Sequence, residues 1–136
     1  MEIVAIYISG ILTIFVGLYH LRLNKIRNWK EKLKDVDTYN QRVIFTINLA
    51  LATMFFGIGI LSFVYTKELS KGSGLAFGFN LSLCCFWVWR VLWGRIYLKN
   101  VSAHRATSLD VIKNSVGPIL VISYLLPIIT FIFNRK

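Results

Sequence analysis

Four long apolar runs, separated by polar and mostly basic connections, dominate the chain: residues 3–21, 43–65, 74–98 and 111–133. Each is near the ~20 residues a helix needs to span the ~30 Å of hydrocarbon in a bilayer. The bilayer core offers the backbone no water to bond, so a helix is the form such a run takes. The pattern predicts an all-α fold, a four-helix transmembrane bundle forming a single domain over 1–136, with connections at 22–42, 66–73 and 99–110. No internal repeat is visible.

The connections carry their own signals. In the first, Leu23, Ile26, Trp29, Leu33 and Val36 recur at three- and four-residue intervals with lysines between them. That stripe fits a first helix that continues past the membrane or lies along its surface. Thr38 with Gln41 before the second helix, and Thr107 with Asp110 before the fourth, read as capping boxes. The 66–73 connection is short and predicts an antiparallel hairpin of the second and third helices. Gly10 and Gly17 in the first helix, Gly57 and Gly59 in the second, and Gly74 and Gly78 in the third are small residues suited to close helix packing. Pro118 and Pro127 should kink the fourth helix.

Composition agrees with a membrane protein: 56% of the 136 residues are hydrophobic and the mean hydropathy is +0.61. The net charge of +10 would suggest nucleic acid in a soluble chain. Here the basic residues sit between apolar segments, where they set topology and meet anionic lipid, so no nucleic-acid partner is expected. Lys and Arg concentrate in the first and third connections, which places both on the cytoplasmic side and both termini on the non-cytoplasmic side. The N-terminal run has an acid, Glu2, no basic residue before it and no small-residue cleavage site behind it, and reads as a retained helix. A multi-pass protein of a bacterial inner membrane is the expected setting. Cys84 and Cys85 are adjacent and lack the spacing of a metal or redox motif.

Residues 80–97 hold three of the four tryptophans, Trp87, Trp89 and Trp93, around an arginine, Arg90. An arginine near the middle of a membrane helix costs about 2.5–3.5 kcal/mol on insertion scales and should face a partner, a cleft or lipid head groups. Asn80, Trp87, Arg90, Gly94 and Tyr97 fall within roughly 100° of one helix face. His20, Asn48 and Asn114 lie at similar depth on the other three helices, so all four contribute to one polar layer. Arg90 and Arg105 with interleaved tryptophans suit an amphipathic anion. The same residues also fit a snorkelling arginine, an interfacial aromatic belt, Asn48 as interhelical glue and His20 as an interfacial side chain. Neither histidine has the companion ligands of a metal site, and no carboxylate lies inside a membrane helix to serve as an acid or base.

Four helices with external termini, a long basic first loop and this polar layer resemble the membrane-associated proteins in eicosanoid and glutathione metabolism (MAPEG). A late helix of that family carries an arginine, an apolar residue next, an aromatic or histidine three on and an aromatic seven on. Arg90, Val91, Trp93 and Tyr97 match it, and Arg105 with Thr107 lies where the family has a further arginine and hydroxyl. The resemblance implies a trimer that binds glutathione between subunits, with Asn48, Arg90, Trp93 and Tyr97 as ligand-binding residues and Arg105 as the catalytic candidate. In the family's second-helix motif Asn48 stands for the asparagine, while Ile44 and Leu51 occupy the arginine and glutamate places, so the partner for a glutathione amino group is missing.

Two functions follow as expectations. One is a MAPEG-like binder or transferase for glutathione or a lipophilic anion, working as a homo-oligomer in the bilayer. The other is a non-catalytic membrane interaction, accessory or immunity protein that needs only packing surfaces. An oligomeric channel would want polar residues along a whole helix face, and beyond Asn80 the outer half of the third helix has few.

Overall fold

In the computed structural model of the chain, the structure describes residues 1–97 and 108–134, with side chains described outside 108–114. All regular structure among them is helical. Four helices are long and apolar enough to cross a membrane: α1 (Glu2–Ile26), α3 (Thr38–Val64), α5 (Leu75–Tyr97) and α6 (Ser108–Phe133). Two short helices, α2 (Trp29–Lys32) and α4 (Thr66–Ser70), lie in the connections. At 1.5 Å per residue α1 and α3 run ~38 and ~40 Å, longer than the hydrocarbon, so their polar ends reach into the head-group layer.

The apolar stripe after the first run divides. Helix α1 continues to Ile26 and stops because Asn28 adopts the left-handed conformation (φ 49°, ψ 51°), which a short amide side chain tolerates better than most. The chain then makes the single turn of α2, and the Trp29 ring packs edge-on against Phe45, 5.5 Å between centroids. The cap on α3 differs from the expected capping box. Asp37 is the cap and accepts the Asn40 N–H at 3.0 Å, while Thr38 is already the first helical residue. An aspartate one position earlier offers a charged acceptor to the same orphan amides. Gln41 instead turns back and donates to the Leu33 and Val36 carbonyls at 2.9 and 2.7 Å, tying the connection to the helix. The Thr107–Asp110 box lies outside the described residues.

Close pairing runs α3–α1–α6–α5, with the helices at the two ends of the chain side by side in the middle. The α1–α3 crossing is tight where glycines meet: a Cβ on Gly59 would lie 2.5 Å from Ile14 Cγ1 and 3.1 Å from the Gly10 carbonyl oxygen, and one on Gly17 would lie 3.3 Å from the Ala52 oxygen. Gly57, Gly74 and Gly78, expected to pack, face open space. The expected hairpin of the second and third runs is also modified. Helix α4 lies in the connection and packs on α1, with Thr66 and Leu69 buried, and α3 and α5 are not one of the close backbone pairs. They meet through rings, with Phe55 stacked on Trp87 at 5.6 Å.

Most buried polar groups within the bundle bond locally or across helices, the exceptions among the described residues being Asn80 Oδ1 and Trp87 Nε1. Ser9, Thr13 and Thr66 hydroxyls donate to carbonyls of the preceding turn, and Ser62 Oγ lies 3.2 Å from the Tyr124 hydroxyl, joining α3 to α6. Asn80 donates to the Leu69 carbonyl at 2.9 Å, and Thr130 to Glu2 at 2.9 Å. Gly72, at φ +60°, brings the α4–α5 turn onto α6 where a Cβ would sit 2.3 Å from the Pro127 oxygen. Only a residue free to adopt that φ without a side chain fits there.

Candidate functional site

The end of the bundle that carries the α1–α3 connection contains a cleft of about 190 Å³. Helix α1 contributes Leu12, Phe15, Val16, Tyr19 and His20 to it. From α5 come Trp87, Arg90, Val91, Gly94 and Arg95, while Phe55 of α3 and Val116 and Gly117 of α6 complete the wall. Most of that lining is apolar, and the polar groups come from α1 and α5. Helical spacing explains the α5 set: 87, 90, 91 and 94 are three and four apart and so share one face.

His20 is held from both sides of its residue. Its ring Nδ1 is 2.9 Å from Asn48 Oδ1, and Asn48 Nδ2 donates to the His20 backbone carbonyl at 2.7 Å. With only 7% of its surface exposed, the imidazole also packs against Phe55 at 5.3 Å. Trp87, 4% exposed, is stacked on Phe55, and its Nε1–H is enclosed without a hydrogen-bond partner. Arg90 is half-buried in the same wall and close enough to act electrostatically on His20. It forms no ion pair or hydrogen bond among the described residues. No described acid lines the cleft: Glu2 pairs with the N-terminal amine at 3.1 Å and Glu31 with Lys34 at 3.0 Å, while Asp37 caps α3.

The structure thus brings together His20, Asn48 and Arg90, three members of the expected polar layer, and adds Trp87. It separates Trp93 and Tyr97 from them. Those two lie on the outer surface of α5, 41% and 61% exposed, and stack at 3.9 Å in a ladder that continues to Trp89. Tyr97 lies two turns beyond Arg90, roughly 10 Å further along the axis, past Arg95, the last α5 residue that lines the cleft. Arg105 and Thr107 lie outside the described residues, as does the side chain of Asn114. His20, which the sequence offers both to the polar layer and as an interfacial side chain, is a buried cleft residue; its sequence signal was a depth matching Asn48. Phe55 and Gly117, which shape the wall, carry no polar signal at all.

A second hollow, of about 530 Å³, lies at the other end between α3, α4 and α5. Leu61, Leu69 and Phe79 line it, and Glu68 and Lys71 put opposite charges beside each other, leaving no net charge to recruit a ligand. Among the described residues no three His, Cys, Asp or Glu side chains gather as a metal site. Comparison with known protein families, with curated proteins and with solved structures finds no match to this chain.

Proposed function

We propose that this integral membrane protein holds an amphipathic anion in the cleft between α1, α5 and α6, its head group at Arg90 and its tail along Leu12, Phe15 and Val16. The observation that carries this is the half-buried Arg90 in the cleft wall, which lacks an acidic partner among the described residues. A cation inserted among apolar helices at a cost of about 2.5–3.5 kcal/mol is poised for an anion, which its planar fork of donors binds in pairs. The volume favours a head group. Drug-sized ligands occupy sites of roughly 300–1,000 Å³, and 190 Å³ is too small for a whole tripeptide. No described carboxylate lines the cleft to meet an ammonium group. Glutathione chemistry, with Arg105 as its catalytic residue and a trimer to complete the site, rests on the MAPEG resemblance alone, and a lipid-like anion needs neither addition. The alternative, a packing subunit with no ligand, draws on the exposed Trp89–Trp93–Tyr97 ladder, a surface suited to a partner helix or to the interfacial belt.

Thermal unfolding of the purified protein in neutral detergent, with and without acidic lipid, is the test. Acidic lipid should raise the midpoint of the wild type, zwitterionic lipid should not, and Arg90→Leu should lose the shift while unfolding at the same or a slightly higher temperature. A wild type indifferent to every anion would favour the packing subunit.

A further inference from the structure

The hydrogen bonds around His20 determine which of its nitrogens faces a ligand. A backbone carbonyl can only accept, so the Asn48 nitrogen must be the atom at the His20 oxygen, and Asn48 Oδ1 is then the atom at Nδ1. An amide oxygen accepts, so Nδ1 carries the hydrogen, and the neutral ring has its lone pair on Nε2. Nε2 has no hydrogen-bond partner among the described residues, and His20 lines the cleft whereas Asn48, on the Nδ1 side of the ring, does not. The one acceptor of the ring is thus left for a cleft in which Arg90 and Arg95 can only donate and the Tyr19 hydroxyl can donate or accept.

We infer that the cleft selects a phosphomonoester head group of the phosphatidic acid class over phosphodiester and carboxylate lipids, with His20 as the specificity-determining residue. This deepens the anion-binding reading and rests on it. A carboxylate or a simple phosphodiester presents only acceptor oxygens and leaves Nε2 facing a lone pair. A phosphomonoester, whose second ionisation lies near pH 6, can keep one P–O–H donor for Nε2 and still carry a negative charge, while its other oxygens accept from Arg90 and Arg95. It alone matches the mixed set, and a buried polar group left unmatched is what makes a site reject an analogue. The Asn48 clamp holds the ring in the tautomer that makes the distinction.

The experiment measures binding of dioleoylphosphatidic acid, dioleoylphosphatidylmethanol and oleic acid to the full chain in neutral detergent, by the change in tryptophan fluorescence. Phosphatidylmethanol replaces the acidic proton with a methyl group and adds no hydroxyl. Wild type should bind phosphatidic acid on the order of tenfold more tightly than phosphatidylmethanol. His20→Phe should bring the two within about twofold while both still bind through Arg90; a preference due to charge alone would survive that substitution. Equal binding by the wild type, or a preference kept by His20→Phe, overturns the inference and leaves the anion cleft standing. Absence of binding to all three lipids removes both. Should His20→Phe fail to fold, the ¹⁵N spectrum of the ring decides in a His104→Gln background, His104 being the only other histidine. An Nδ1–H tautomer whose Nε2 resonance moves with phosphatidic acid and not with phosphatidylmethanol supports the inference; an unmoved resonance overturns it.

Discussion

Asn48 joins the site to the scaffold, because its amide spans from α3 to both the ring and the backbone of His20. Removing it breaks two interhelical hydrogen bonds in a medium with little water to replace them. Interhelical hydrogen bonds within membranes contribute about 0.6 kcal/mol on average and about 1.7 at most. Asn48→Leu should therefore destabilise the bundle by about 1–2 kcal/mol in a detergent unfolding titration, and should also weaken any lipid preference that depends on the His20 tautomer. At the edge of the membrane, Asp37 makes a different contribution. Its carboxylate accepts the Asn40 N–H and bonds the Asn40 side chain, which holds its pKa below the usual aspartate value. A folded-state pKa lower than the unfolded one, ~3.9, means that the stabilisation is complete above the unfolded value and is lost as pH falls through the folded one. Amide exchange at Asn40 and Gln41 should accelerate in that acidic window, while amides in mid-α3 keep their protection; equal acceleration along α3 would show that the cap is not the cause.

Among the helices, the α1–α3 pair is defined by backbone approach rather than by large side chains. Gly59 faces Ile14 and the Gly10 carbonyl at distances a methyl group cannot occupy without movement, whereas Gly57, two residues away on the same helix, faces open space. Gly59→Ala should thus destabilise by about 1–3 kcal/mol through overpacking. Gly57→Ala should be neutral or stabilising by up to about 1 kcal/mol from helix propensity. Comparing the two unfolding midpoints checks the crossing, and equal effects would place the contact elsewhere. Glycine content alone did not distinguish these positions. Both sit in an apolar run, and which of them meets a neighbour depends on how α3 crosses α1.

For the whole molecule, the charge distribution makes a definite forecast of orientation. Lysines and arginines crowd the 22–42 connection, and such loops remain cytoplasmic. In a background without Cys84 and Cys85, Lys30→Cys should resist an impermeant maleimide in intact cells, and Lys71→Cys, in the opposite connection, should react with it. Labelling at position 30 from outside would invert the bundle and place the Arg90 cleft in the outer leaflet.

Sequence by itself determined what depends on local free energy of transfer. Runs of about 20 apolar residues have one stable form in hydrocarbon, so four helices, their approximate limits and the depth of Arg90 and Asn48 could be read without coordinates. Helix rotation and neighbour order are different quantities, set by the sum of many small packing contacts across the bundle. They decided that α1 and α6 are central, that Trp93 and Tyr97 turn outward, and that His20 is bonded to Asn48 inside the cleft. The Asp37 cap was misplaced by one residue because aspartate and threonine both satisfy helix amides, and only the backbone angle at position 37 selects between them. The cleft could not be read along one chain direction at all. Its wall comes from α1, α3, α5 and α6, and its chemistry arises because tertiary packing places a guanidinium with no acidic partner among the described residues and an imidazole bonded to Asn48 around one space.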